Sequence, residues 1–454
     1  MQAKSQRIVP PGPKGIPFVG VLFDYIKDPL GFSQRCAQEF GEVVLLPLGP
    51  IKVYLLTNPE HIHEVFSHQN DCFIKGVSVR SLKSSLGKGL LTSEGDFWQR
   101  HRRLMQPAFH RERVSEYGEI IVNQTESMIG HWQDGSTRDI HDDMMKLTLL
   151  IVAQSLFGAD IADKTPIIES ALDAILIHFS NQLSTLFLLP EWIPTLGKLR
   201  FWRQLRQMDK AIYEIIHQRR ETQQENRDLL TMLLQAKDES GEQMSNKEIR
   251  DEVATLIMAG HETTALTLTW TWMLLGQNPQ VELKLVEEIQ AVLKGRSPTV
   301  NDIAQLHYAN WIIKESMRLY PPAWGTSRQV VKSLQIGGYV LKPGVTVFLS
   351  QWLMHRDSRF FEHPEQFCPE RWADGLEHHL PKGVYFPFGE GPRTCIGKGF
   401  ALMESVLILV AIAQRFHLSL HSNYSIELNP SITLRPKHGL KICLQERHRL
   451  TDVK

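Results

Sequence analysis

The sequence predicts a mainly α-helical protein with a small amount of β-structure. Three observations carry this. Amphipathic stretches with short breaks follow one another from Ser115 to Gln235. A second run keeps a helical period through Ile249, Val253, Leu256, Ile257, Gly260, Thr264, Leu268, Trp272 and Leu275. That run makes one helix of about 30 residues, roughly 45 Å long at 1.5 Å per residue. Strand-like patterns are short and lie within 42–56, 327–350 and 417–444. For 454 residues, length alone suggests two or three domains.

Taken in order, residues 1–13 form a lead-in that ends in the stiff Pro10-Pro11-Gly12-Pro13. Leu30 to Phe40 is helical in pattern. Glu42–Leu46 and Ile51–Leu56 are a strand pair, separated by Pro47-Leu48-Gly49-Pro50. A short helix starts at Asn58-Pro59, with Asn as cap and Pro in the first turn. Residues 70–94 are irregular and rich in Ser, Gly and Lys, the composition of a functional loop. In Phe97–Arg103, Trp98 and Arg102 are four apart and share one helix face. Leu183 to Trp202 is apolar and aromatic around Pro190, as in a lid that rests on a membrane surface.

Lys237–Gln243 is a polar linker. Ser245-Asn246-Lys247-Glu248 is a capping box that opens the long helix. Helices follow at Leu283–Leu293 and Asn310–Tyr320, the second ended by Pro321-Pro322. Ser327–Val331 is a strand, and Ser333–Ser350 a hairpin region with turns at Gly337-Gly338 and Pro343-Gly344. A helix from Gly399 to Phe416 precedes a closing strand pair, His417–His421 and Lys437–Leu444. The loop near Ser431–Leu434 connects that pair.

Charge and cysteine use narrow the function. Lys+Arg and Asp+Glu are both 50, so no basic field points to nucleic acid. The 19 histidines are scattered without zinc spacing. Cys36, Cys72, Cys368, Cys395 and Cys443 are an odd, dispersed set that argues against a disulfide framework and fits a reducing compartment. Met1 to Ile8 is short and polar, and no run reaches the roughly 20 apolar residues of a membrane span. A soluble, cytoplasmic protein with at most a peripheral membrane contact is expected.

Two stretches carry chemistry. In Phe388-Gly389-Glu390-Gly391-Pro392-Arg393-Thr394-Cys395-Ile396-Gly397, one thiol stands between a glycine-rich turn and a helix. The helix N-terminus and the nearby arginine both favour the thiolate. Gly391 and Gly397 suit a tight turn and close approach to a flat partner; Phe388 could pack on it and Arg393 meet an anionic group. The other stretch is Ala259-Gly260-His261-Glu262-Thr263-Thr264, in the middle of the long helix. A glycine there costs about 1 kcal/mol relative to alanine, and two threonines lower propensity further. Local sequence contradicts the element, the mark of a functional site. His355, in His355-Arg356-Asp357, competes with Cys395 as a metal ligand, but its flanks are charged and carry no glycine cradle.

Phe-x-x-Gly-x-Arg-x-Cys-x-Gly closely resembles the haem-thiolate signature of the cytochrome P450 family. Four more signatures of that family occur in its order: Trp98/Arg102, Ala259–Thr264, Glu315/Arg318 and Pro369–Trp372. The resemblance spans most of the chain. It implies a single domain over 1–454 with the cytochrome P450 fold, a triangular helical prism with a small β-region. It implies haem b with Cys395 as axial ligand, the ligation that favours O–O cleavage. It makes Glu262 and Thr263 the proton-delivery pair, and places Ala259 and Gly260 against the cofactor. Trp98, Arg102, Arg328 and Arg393 would meet the propionates, with Phe388 and Gly397 completing the cofactor contacts. Glu315, Arg318 and Arg371 would form a structural triad.

The implied activity is insertion of one oxygen atom of O2 into a C–H bond of an apolar substrate. A long-chain fatty acid is the leading expectation; a terpenoid or alkane is the alternative. Substrate contacts are expected from Tyr54, Met258, Ala259, Ala323, Trp324 and Thr433, with the 70–94 loop and the Ala174–Leu188 region completing the lining. In fatty-acid relatives an arginine and a tyrosine on the first hairpin hold the carboxylate; Tyr54 matches the tyrosine, while Pro50 falls where the arginine would be, leaving Lys52 as substitute. With no flavin, nicotinamide or cluster-binding fingerprint, electrons come from a separate donor. A small ferredoxin with its reductase, docking near Lys398, is expected. A peroxygenase or isomerase, and a non-catalytic haem sensor, are the competing readings; the Glu262-Thr263 pair argues against both.

Overall fold

Strands are short and gathered in a few places in the computed structural model, which describes residues 9–67, 70–158, 164–184, 195–222, 228–421 and 425–447. In chain order they are β1 (Val43–Leu48), β2 (Ile51–Leu56), β3 (Phe73–Lys75), β4 (Thr137–Asp139), β5 (Thr326–Val330), β6 (Leu334–Ile336), β7 (Tyr339–Leu341), β8 (Thr346–Leu349), β9 (Phe416–Leu420), β10 (Leu428–Pro430), β11 (Leu434–Pro436) and β12 (Lys441–Glu446). The rest of the regular structure is helical, as the periodicities predict. Residues 1–8 of the lead-in and 185–194 of the lid segment lie outside the described residues.

By contacts the chain divides into two compact units, each assembled from separate segments. The first comprises Met1–Leu82, Met317–Gln366 and Asp374–Cys395; the second comprises Lys83–Ser316, Phe367–Ala373 and Ile396–Lys454.

The first unit is built on a five-stranded sheet of order β1-β2-β8-β5-β3. β2 and β8 run parallel; the other neighbours are antiparallel. The helix Pro59–Phe66 packs on it, capped as expected by Asn58, whose Oδ1 accepts from Glu60 N at 2.9 Å. Ile62, Phe66, Tyr54, Val347 and Phe386 share its core. Three expectations change here. β1 continues through Pro47 to Leu48, because an edge strand tolerates a residue without an N–H. Residues 70–94 are only partly irregular: β3 pairs with β5, helices Val77–Ser81 and Lys83–Leu86 follow, and 87–94 are turns. These pieces are too short to show a period in the sequence. β6 and β7 form the expected hairpin over Gly337 and Gly338, both at positive φ, but β8 leaves it to join β2 and β5.

The second unit is helical around one 32-residue helix, Asn246–Gln277. Its capping box is formed: Ser245 Oγ accepts from Glu248 N at 3.2 Å, and Glu248 Oε2 accepts from Ser245 N at 2.7 Å. The helices Ile140–Phe157 and Lys398–Arg415 pack against it. A three-stranded sheet, β4-β12-β9, contains the expected closing pair plus β4. The stretch expected as a connecting loop near 431–434 is the turn of a separate hairpin, β10–β11.

Candidate active site

In the first unit the loop that ends in Cys395 is held by its own backbone. Cys395 N donates to Phe388 O at 2.9 Å, and Gly389 N to Phe386 O at 2.9 Å. Gly389 and Gly391 have φ of 68° and 70°, in the left-handed region that favours glycine. A Cβ on Gly391 would lie 2.2 Å from the carbonyl oxygen of Phe66. Gly397 has an ordinary φ of −86° and serves instead as N-cap of the helix Lys398–Arg415. Glu390, a position the sequence reading passed over, ties the loop down: its carboxylate accepts from Gly383 N at 2.8 Å and pairs with His63 Nδ1 at 3.0 Å. The Cys395 thiol is exposed.

Phe66 links this loop to Arg328. Its carbonyl abuts Gly391, and its ring lies 5.6 Å from the Arg328 guanidinium. Arg328 stands on β5, donating to Thr326 Oγ1 at 3.2 Å and Ser327 O at 3.0 Å. His355 is fully buried, and its Nε2 accepts from Phe386 N at 3.0 Å. Burial first, then the Arg318 charge, pushes its pKa down to about 3. That ring is a backbone acceptor and not a metal ligand. Arg318 donates to the carbonyls of His355, Pro364 and Gln366.

The second unit carries the mid-helix motif. Thr263 Oγ1 donates to Ala259 O, one turn back, at 2.7 Å. The helix stays α-helical through the motif. On a helix whose flanks are almost wholly buried, Ala259 is exposed and Gly260 and Thr263 are half-buried. A Cβ on Gly260 would meet Val152 Cγ2 at 3.3 Å, so this glycine sets the approach of the helix Ile140–Phe157; the open face belongs to Ala259. Glu262 faces the β10–β11 hairpin, where it meets Thr433 and Arg435.

Trp98 is buried and Arg102 half-buried on the helix Gly95–Met105. That helix is fixed to the long helix by His101, fully buried, whose Nδ1 lies 2.5 Å from Glu252 Oε1 and Nε2 3.2 Å from Glu248 Oε1. Glu404, on the helix Lys398–Arg415, is fully buried, and among the described residues neither of its oxygens has a hydrogen-bond partner. Burial pushes its pKa up to about 8, opposed by the neighbouring Thr264 hydroxyl. Glu315 is fully buried and accepts from Cys368 N at 3.1 Å, Arg371 Nε at 2.9 Å and Trp372 Nε1 at 2.9 Å.

Of the expected substrate contacts, Tyr54, Ala323 and Trp324 belong to the first unit and Met258, Ala259 and Thr433 to the second. Tyr54 lies in the core of the sheet with Leu56 and Val347, and Lys52 is exposed on the strand beside it. Trp324 packs edge-on against Phe348, with ring centroids 5.5 Å apart, and Ala323 is half-buried. Met258 is buried. The Thr433 hydroxyl is committed to Glu262. Of the Ala174–Leu188 region, 185–188 lie outside the described residues.

The donors fit a haem. Among the described residues, no three His, Cys, Asp or Glu side chains converge as a metal site. An iron here needs most of its ligands from a prosthetic group, with the exposed Cys395 thiolate as the protein's own. Among the described residues, no helix is long and apolar enough to cross a membrane.

Comparison with known proteins agrees. The family model described as cytochrome P450 matches residues 10–444. Cyclooctatin synthase of Streptomyces melanosporofaciens is 34% identical over 425 residues, which cover 93% of this chain and 92% of that one. Cyclooctat-9-en-7-ol 5-monooxygenase of the same organism is 34% identical, with 89% and 88% covered. Pentalenene oxygenase of Streptomyces avermitilis is 30% identical, with 93% and 92% covered.

Proposed function

The chain belongs to the cytochrome P450 family and is a haem-thiolate monooxygenase; from that premise we propose that it hydroxylates a cyclic terpenoid, using electrons from a separate ferredoxin-type donor. The observation that carries the substrate class is the set of relatives that match along about nine-tenths of both chains. They are named for cyclooctatin, cyclooctat-9-en-7-ol and pentalenene. This replaces the long-chain fatty acid as the leading reading.

In this reading Cys395 holds the iron, and Arg102, Arg328, Arg393 and Trp98 hold the propionates, anions whose unpaired burial would be costly. When bound, the haem supplies the activation of dioxygen that the protein's own side chains cannot. Thr263 and Glu262 supply protons, with the Thr263 hydroxyl nearer the open face at Ala259 and the carboxylate behind it. Lys398, exposed at the head of the cysteine helix, contributes to the donor's docking surface.

The test is a spin-state titration of the purified holoprotein against cyclic terpene hydrocarbons, their alcohols and long-chain fatty acids, followed by product identification with the best binder. A shift with cyclic terpenoids and a hydroxylated product is expected. A shift with fatty acids alone would return the assignment to the carboxylate reading.

A further inference from the structure

Between the N-terminal prolines and the helix Pro29–Phe40, the chain turns apolar side chains outward. Phe18 is 99% exposed, Phe23 66%, Ile16 61% and Ile26 43%. A single apolar residue at a surface is ordinary, but four within residues 16–26 form a concentration that a soluble surface avoids. The segment is firmly held. Leu45 N donates to Pro11 O at 2.8 Å, Val21 N to Pro47 O at 2.8 Å and Gly49 N to Val19 O at 2.9 Å, which bonds it to β1 and the turn after it. Ile16 N donates to Gly20 O at 3.0 Å and Gly20 N to Ile16 O at 2.7 Å, closing a turn around Pro17 and Phe18. Phe18 has φ of 66°, a left-handed backbone uncommon outside glycine. The turn bears this strain and yet leaves the ring in solvent, an arrangement that folding alone does not reward.

The helix Leu22–Lys27 divides by face. Val21 and Tyr25, one turn apart, pack on the core with Val44, Leu46 and Leu55. Phe23, Ile26 and Lys27 are exposed on the opposite side, where a helix in water carries polar residues. Basic residues flank the apolar ones. Lys14 and Lys27 are exposed at the two ends of the stretch, and Lys52 is exposed opposite Pro47 in the β1–β2 register. Asp24 is an exposed acid within it, while Asp28 is paired with Arg35 at 3.1 Å.

These features select the occupant. A stable protein partner covers about 800 Å² on each side with a complementary shape. A ring as exposed as that of Phe18 projects from the surface instead of lining a groove. Projecting rings between lysines match the boundary of an anionic bilayer, where the rings enter the acyl region and the lysine stems reach back to the phosphates. We propose that residues 14–27 are a surface finger by which the protein sits reversibly on an anionic membrane, with Phe18 at the inserting tip and Lys14 and Lys27 at the headgroups. The finger belongs to the first unit; the apolar segment 183–202 belongs to the second. The proposal does not depend on the substrate class.

The test is flotation of the purified holoprotein with vesicles of phosphatidylcholine alone and of phosphatidylcholine mixed with phosphatidylglycerol, at low salt. Wild type should float with the mixed vesicles and bind phosphatidylcholine alone about tenfold less. Phe18→Asn/Phe23→Gln should bind the mixed vesicles about tenfold less than wild type. Asparagine accepts the left-handed backbone at 18 and glutamine the helix at 23, so the fold is kept. Lys14→Gln/Lys27→Gln should bind them about fivefold less. In both variants the melting temperature and the ferrous–carbonyl spectrum should match wild type, which separates loss of the surface from loss of the fold. Wild type that floats with neither kind of vesicle, or equally with both, would overturn the proposal. So would wild-type binding by either variant; if the phenylalanine variant keeps it, another surface carries the contact. A wild-type dimer in sedimentation velocity that Phe18→Asn/Phe23→Gln dissolves would also overturn it, in favour of an interface between copies.

Discussion

Among the described residues nothing pairs the charge of the buried Glu404, and that has a consequence in solution. Between pH 4.5 and about 8 the unfolded chain has released a proton that the folded protein still keeps. Stability from this group is therefore complete below pH 4.5 and declines as pH rises through the window, by up to about 1.4 kcal/mol per pH unit. Glu404→Gln should flatten the fall in melting temperature between pH 6.5 and pH 8, above the range in which the buried histidines act; a variant with the wild-type slope there would contradict it. At this scale the sequence was legible where chemistry needs a rare residue pattern. Cys395 stood out by its glycines and arginine. Glu390, His101, Glu404 and Arg435 did not, because a lone charged residue reads as surface until its partners, hundreds of positions away for His63–Glu390, are placed in space.

Glu315 and its three donors show what an element can hang on. The helix His307–Leu319 presents this one carboxylate to the segment Cys368–Trp372, taking a backbone N–H, a guanidinium and an indole N–H. Glu315→Gln keeps the shape but removes the charge that Arg371, with its side chain 11% exposed, meets at 2.9 Å. A loss of about 3–5 kcal/mol is expected in denaturant unfolding; a loss under about 1 kcal/mol would mean that solvent repays the pair. Glu315 and Arg371 are both visible as motif residues, but Trp372 as donor is not. Elements with a long period were read to within a few residues, as with the capping box at Ser245. The three-residue strands β3, β4, β10 and β11 were missed, since their pairing partners and not their composition make them strands.

Across the described residues, the buried His355 and His261 and the half-buried His141 set the acid limit. His355 and His261 are pushed down to about 3 and His141 to about 4, each chiefly by burial. All three lie below the ordinary value of 6.5, so the unfolded chain binds protons that the folded protein refuses. Their stabilisation is present above pH 6.5 and is lost as pH falls toward 3–4. The loss reaches about 4 kcal/mol per pH unit at its steepest, well beyond the opposing slope of Glu404. Melting temperature should drop sharply between pH 6.5 and pH 4.5; a flat profile there would contradict these assignments. The family was legible from motif order alone, because five spaced signatures constrain a chain far more than composition does. Substrate class was not legible, since apolar linings look alike in sequence for a fatty acid and for a terpenoid.

All of the proposed chemistry depends on Cys395 as the protein's ligand to iron. The ferrous–carbonyl spectrum of fully pigmented, folded protein tests this most directly. Wild type should show the strongly red-shifted Soret band of a thiolate opposite carbon monoxide, and Cys395→His should lose that band while keeping its haem. A wild-type spectrum typical of a nitrogen ligand, or a red-shifted band that survives in Cys395→His, would contradict the account.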